Sequence, residues 1–170
     1  MKKIILINGS GGVGKDTFID LCGHYTLTKN ISTVDKIKKA AMILGWDGTK
    51  SEINRLFLSN LKLLSVKYLN HSYNYVKEQI ELFENEFSPY NVLFIHVREP
   101  DELHRFSHEF NAHTLLIRNK NIPIITTNMA DKNVDNYLYD FIIDNDEGLH
   151  EFKVKAKNFV ELLKKYPSQD

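Results

Sequence analysis

KKIILINGSGGVGKDT, residues 2–17, sets a run of β-formers directly against four glycines in six positions and then a lysine. Ile4-Ile5-Leu6-Ile7 is short, continuous and apolar, as expected of a strand buried on both faces of a parallel sheet. Glycine at such density weakens any helix or strand interior. Something must therefore approach this backbone closely. Gly9, Gly14 and Lys15 stand at the spacing of G-x-x-x-x-G-K-[ST], behind a strand and ahead of a helix. In that setting the backbone N–H groups from Gly9 through Gly11, Gly12, Val13 and Gly14 form an anion nest, to which the following helix adds the partial positive charge of its N-terminus. Lys15 would bridge phosphate oxygens. The bland alternative, a glycine-rich turn with a solvated lysine, is weak, because the helix dipole opposes a lysine there unless an anion answers it.

Similar apolar runs recur at Val92–Ile95, Thr114–Ile117, Ile122–Ile125 and Phe141–Ile143. Pro123 makes its run an edge strand or a strand start. Between the runs lie helical patterns: Phe18, Leu21, Cys22 and Tyr25 in a helix from about Lys15; Ile53, Phe57, Leu61, Leu64 and Tyr68; Tyr73, Val76, Ile80, Phe83 and Phe87; and Leu149, Phe152, Ala156, Phe159, Val160 and Leu163. Alternating strands and helices predict an α/β fold, a three-layer α/β/α sandwich on a mainly parallel sheet. Residues 35–88 carry helices and no convincing strand, so they predict a helical insertion beside a cleft. Residues 118–135 make a short lid-like segment.

The 170 residues suit a single domain, 1–170, able to bury roughly two-thirds of its unfolded surface. With 22 basic and 22 acidic residues the net charge is zero, which argues against nucleic acid as a partner. No run approaches a membrane span, and the N-terminal apolar stretch is too short for a signal peptide. A cytoplasmic protein is expected, and the sequence leaves a homodimer open. The one cysteine, Cys22, reads as a small buried hydrophobe. The seven histidines show no zinc spacing.

The loop's G-K-D-T ending resembles that of phage-type deoxynucleoside monophosphate kinases, within the wider group of P-loop nucleoside and nucleotide kinases. Two further segments are similar. FIHVREPDEL (94–103) looks like their strand-end Asp-Val-Arg segment, and YDFIIDNDEGLHEF (139–152) like their final strand and helix start, through Asp140, Ile143, Asn145, Gly148 and Leu149. The resemblance implies a P-loop NTPase fold, with ATP and Mg²⁺ as cofactors and a small-molecule nucleotide as substrate. It implies transfer of the γ-phosphoryl of ATP to a (deoxy)nucleoside monophosphate. The alternatives are a P-loop kinase for another small phosphorylated metabolite, and a nucleotide-binding regulatory protein without transfer activity.

Asp16 occupies the place of the hydroxyl that normally meets Mg²⁺. It either offers a carboxylate to the metal or favours the helix N-terminus, with Thr17 the nearest hydroxyl. Arginine is scarce, so each of the four is informative. Arg98 follows a strand end, where ligands gather in open α/β sheets, and is expected on the acceptor phosphate and in catalysis beside Lys15; a surface pair with Glu99 or Glu102 is the alternative. The resemblance places Arg55 on the acceptor side and Arg118 in the lid, with Lys120 and Lys132 the other lid cations. Arg105 reads as solvated. Asp35 either caps a helix or binds the acceptor, with Lys38 adding positive charge. Trp46 covers the core or stacks on a base. His96 stands where the resembled pattern has aspartate.

Overall fold

The computed structural model describes residues 2–49, 51–122, 134 and 137–165. Strand β1 (Lys3–Asn8) leads through the glycine segment into helix α1 (Lys15–Gly23) and strand β2 (Thr28–Ser32). Three helices follow: α2 (Asp35–Ile43), α3 (Glu52–Leu69) and α4 (His71–Glu84). Then come β3 (Val92–His96), α5 (Pro100–Glu109), β4 (His113–Arg118), β5 (Phe141–Asp144) and α6 (Leu149–Lys165). The strands form one sheet in the order β2-β3-β1-β4-β5, and every described pairing is parallel.

Successive residues of the apolar runs go to opposite faces of that sheet. Ile5, Ile7, Val92, Phe94, Leu115 and Ile117 pack under α1 and α6, against Phe18, Cys22, Phe152 and Phe159. Ile4, Leu6, Leu93 and Ile95 pack on the other side, against Val76, Ile80 and Phe83 of α4 and Leu103 and Phe106 of α5. Burial on both faces is why these runs are continuous rather than alternating. The result is the expected three-layer α/β/α sandwich.

The structure differs from the sequence reading at several points, the first being that α1 ends at Gly23 and leaves Tyr25 in the turn beyond it. The helix expected to reach Phe87 ends at Glu84. The Asn85 side chain accepts the Phe87 N–H at 2.9 Å, a turn that competes with helix continuation, and leaves Phe87 exposed. The apolar stripe of α3 does not reach the sheet: α3 has no buried residue, packs chiefly on α2 and α4, and exposes Ile53, Leu64 and Tyr68. Leu149, read as part of the last helix's stripe, is also exposed, while Phe152, Ala156, Phe159, Val160 and Leu163 are buried as expected. Of the strand expected at 122–125, only Ile122 is among the described residues, where it lies in a bend.

Candidate active site

The register sets Ile7 of β1 beside His96 of β3, and His96 beside Ser32 of β2. The chain leaves β1 toward α1 on one face of the sheet and leaves β3 toward α5 on the other. Adjacent strands whose connections part in this way open a crevice at their carboxyl ends, where ligands bind in open α/β sheets. The glycine segment, His96 and Arg98 all stand at that crevice.

Asn8 starts the loop by accepting the Gly9 N–H at 2.8 Å on its side-chain oxygen. Gly9 has φ +140°, and a Cβ there would lie 2.3 Å from the carbonyl oxygen of Ile117 on β4. Only glycine brings the backbone that close. Gly12 and Gly14 also have positive φ, and Gly14 precedes α1 with no side chain capping the helix. These turns direct amides and the helix dipole toward one concavity, the geometry of an anion site. A bracket from the far end of the chain holds it. Asn145 donates its side-chain amide to the Val13 carbonyl at 3.0 Å, while its own N–H donates to Arg118 at 2.7 Å. Asn145 stood in the sequence only as a member of a pattern; its tie to the loop crosses 132 residues.

Lys15 folds over this loop, its Nζ donating to the carbonyls of Gly9 at 2.5 Å and Ser10 at 2.8 Å. Asp16 projects outward, its side chain 81% exposed, and accepts from Asn30 at 3.3 Å. Thr17 is exposed on the same first turn. His96 Nε2 lies 3.3 Å from Asp16 Oδ1, yet it is buried and has no hydrogen-bond partner: the distance is that of a contact, the geometry is not that of a bond. Burial pushes the His96 pKa down to about 4; Lys15 and Lys38 act in the same sense, Asp16 and Asp35 oppose it. The imidazole is therefore neutral at pH 7.

Among the described residues no group of three or more His, Cys, Asp or Glu could hold a metal alone. An exposed carboxylate and a hydroxyl beside a phosphate nest do fit Mg²⁺, which commonly takes one or two carboxylates and completes its shell from phosphates and water.

Asp35 is the first residue of α2, not its cap. Its carboxylate accepts the Ser32 N–H at 2.7 Å, closing the β2–α2 turn, and lies 3.5 Å from the Tyr75 hydroxyl. Burial, then Asp35, raises the Tyr75 pKa to about 12. Lys38 is exposed on α2, close enough for its charge to act on His96. Lys15, Asp16, Asp35, Lys38 and His96 thus gather about the carboxyl ends of β1, β2 and β3. Arg98 is exposed just past β3. Arg55 lies on the outer helix α3. Arg118 forms a two-pronged pair with Asp144, at 2.9 and 3.2 Å, joining the ends of β4 and β5. Arg105 is exposed, as expected, and from that exposed face it lies 3.9 Å from the Tyr73 ring centre and pairs with Glu109 at 2.8 Å. Trp46 donates to the Thr49 carbonyl inside its own turn. Lys132 and most of the lid-like segment lie outside the described residues.

No protein-family model and no curated protein matches the sequence. Solved structures do match the fold. A shikimate kinase from Aquifex aeolicus superposes with a TM-score of 0.53 at 14% identity, covering 95% of this chain and 98% of that one. A shikimate kinase from Bacteroides thetaiotaomicron gives 0.51 at 14% identity with the same coverage. The fold is that of the P-loop NTPases. No described helix is long and apolar enough to cross a membrane.

Proposed function

We propose that this protein is a P-loop phosphotransferase that moves the γ-phosphoryl of ATP to a small acceptor, with a (deoxy)nucleoside monophosphate as that acceptor. The observation that carries the reading is the nest of Gly9, Gly12 and Gly14 before an uncapped helix, with Lys15 folded over it at the crevice of the sheet. In this reading the loop amides and Lys15 hold the β- and γ-phosphates. Asp16 and Thr17 hold Mg²⁺, which neutralises phosphate charge when bound. Arg98 holds the acceptor phosphate, Asp35, Lys38 and Arg55 complete the acceptor side, and Arg118 contacts substrate from the start of the lid-like segment. An acceptor phosphate oxygen attacks the γ-phosphorus, the bond to the β–γ bridging oxygen breaks, and ADP leaves. Such a nucleophile is already anionic, so transfer rests on positioning and charge rather than on a base. The helical block excludes water, the competing acceptor.

One observation favours a second reading. The two solved structures described above are named for kinases of shikimate, which is not a nucleotide. A different small metabolite is therefore the alternative acceptor. The test is ADP release from Mg·ATP with each common ribo- and deoxynucleoside monophosphate, then with small hydroxyl-bearing acids, beside Lys15→Ala. One monophosphate that raises ADP release well above the ATP-only rate, and loses that effect in Lys15→Ala, is the expected result. Stimulation only by a non-nucleotide supports the second reading. ATP binding without turnover on any acceptor overturns both and leaves a nucleotide sensor.

A further inference from the structure

We infer that His96 supplies a nitrogen ligand to the divalent cation of the phosphate site, completing with Asp16 a mixed oxygen–nitrogen pair that favours Mn²⁺ or Co²⁺ over Mg²⁺. The inference rests on the phosphate-site reading above and adds to it the chemistry of the metal.

His96 Nε2 and Asp16 Oδ1 are 3.3 Å apart, and Nε2 is buried with no hydrogen-bond partner. A hydrogen on Nε2 would leave a donor facing a carboxylate without bonding to it. A lone pair there would leave two electron-rich atoms face to face. Both states are incomplete as they stand, and a cation between the two atoms completes the second. Adjacent ligands of an octahedral ion with bonds of about 2.1 Å stand about 3.0 Å apart, within a few tenths of an ångström of the observed separation.

The backbone holds both atoms in place. His96 ends β3 in register with Ile7 and Ser32, and Asp16 sits in the first turn of α1 above Lys15. The glycine segment just before this turn presents the nest, so a cation bound by this pair lies beside the phosphates that would complete its shell. Imidazole nitrogen is a better ligand for later first-row metals than for Mg²⁺, which prefers oxygen. An all-oxygen pair would carry no such bias.

The test uses the full chain with ATP as ligand. Affinity for ATP is measured with Mg²⁺, Mn²⁺ and Co²⁺ for wild type, His96→Ala and His96→Asp. Pulsed electron paramagnetic resonance of the Mn·ATP complex is recorded on protein carrying ¹⁵N-histidine. A ¹⁵N coupling to manganese in wild type, absent from His96→Ala, is expected, together with a Mn²⁺-over-Mg²⁺ preference that falls about tenfold in His96→Asp. Bound Mn·ATP with no ¹⁵N coupling, or a preference unmoved by either substitution, overturns the nitrogen ligand and leaves the phosphate site standing. Failure of wild type to bind ATP with any of the three metals overturns both. Because coupling is read on the bound metal, a merely structural role for His96 would not produce it.

Discussion

Gly9→Ala separates a close backbone contact from glycine content alone. At φ +140° a side chain is strained by about 1–3 kcal/mol. The added Cβ would also meet the Ile117 carbonyl oxygen at 2.3 Å and Val13 Cγ2 at 3.0 Å. The first of these is backbone of β4, held in register with β5 at Ile143, so it cannot swing aside as a side-chain end would. Accommodating it is an overpacking of about 1–3 kcal/mol, for a total loss of about 2–6 kcal/mol. In a domain of this size each kcal/mol moves the melting temperature by about 2–4 °C, so a loss of about 4 kcal/mol lowers it by about 8–16 °C. Gly12→Ala is the control. Its φ is +86°, but the nearest atom to its Cβ is Ile122 Cδ1 at 3.9 Å, an ordinary contact. Only the conformational cost remains, about 1–2 kcal/mol, or about 2–8 °C. The assay is thermal unfolding of both variants without ligand, followed by circular dichroism at one protein concentration. Gly9→Ala should melt well below Gly12→Ala. Melting temperatures within a degree or two of each other would refute the argument, since both share the positive φ and only one has the clash.

Asn145→Ala leaves the Val13 carbonyl without its side-chain donor; a loss of about 1–2 kcal/mol is expected in denaturant unfolding, with weaker ATP binding because the nest loses its brace. Cys22 is fully buried and its thiol pKa is raised to about 12, so an aromatic disulfide reagent should label it only as fast as the chain unfolds. Labelling within seconds in native buffer would contradict that burial. His71 Nε2 is buried without a hydrogen-bond partner, and burial lowers its pKa below the usual 6.5. A histidine whose folded pKa is depressed contributes its full stability above 6.5 and loses it as pH falls toward the lowered folded value. Melting temperature measured from pH 7.5 downward should therefore fall more steeply in wild type than in His71→Gln, beginning near pH 6.5; parallel curves would show that His71 titrates as in the unfolded chain.

What was legible in the sequence was what is local. The nest needs glycines and a lysine at fixed offsets after a strand, and all of that lies within residues 4–17. The two-sided burial of the strands was legible because both parities of Ile4–Ile7 are apolar. Strand order was not, since four similar apolar runs carry no mark of which neighbours which. Periodicity showed that α3 is amphipathic but not that its apolar side would miss the sheet. It could not show this because a helix reports its own face and nothing of the surface opposite. The brace from Asn145 to Val13 and the pairing of Arg118 with Asp144 are contacts between distant segments, set by the packing of α6 and the register of β4 with β5.

Two departures from the resembled pattern meet in space. Asp16 stands where a hydroxyl was expected and His96 where a carboxylate was expected, 80 positions apart in the chain and 3.3 Å apart in the fold. Taken one at a time, each argues against a working metal site: the strand end has lost an acid, and the loop has gained a group of the wrong kind. Taken together they leave a carboxylate at the crevice, moved from the strand end to the first turn of α1. A metal site depends on which atoms surround the ion rather than on which segment supplies them. The position given up by the acid then holds a neutral nitrogen with an unused buried lone pair or proton. A double variant, Asp16→Ser with His96→Asp, restores the resembled arrangement. If the pair acts as one site, the double variant should bind Mg·ATP more tightly than either single variant and favour Mg²⁺ over Mn²⁺. If the two positions are independent, the double variant's loss in ATP affinity should equal the sum of the single losses, within about 0.5 kcal/mol.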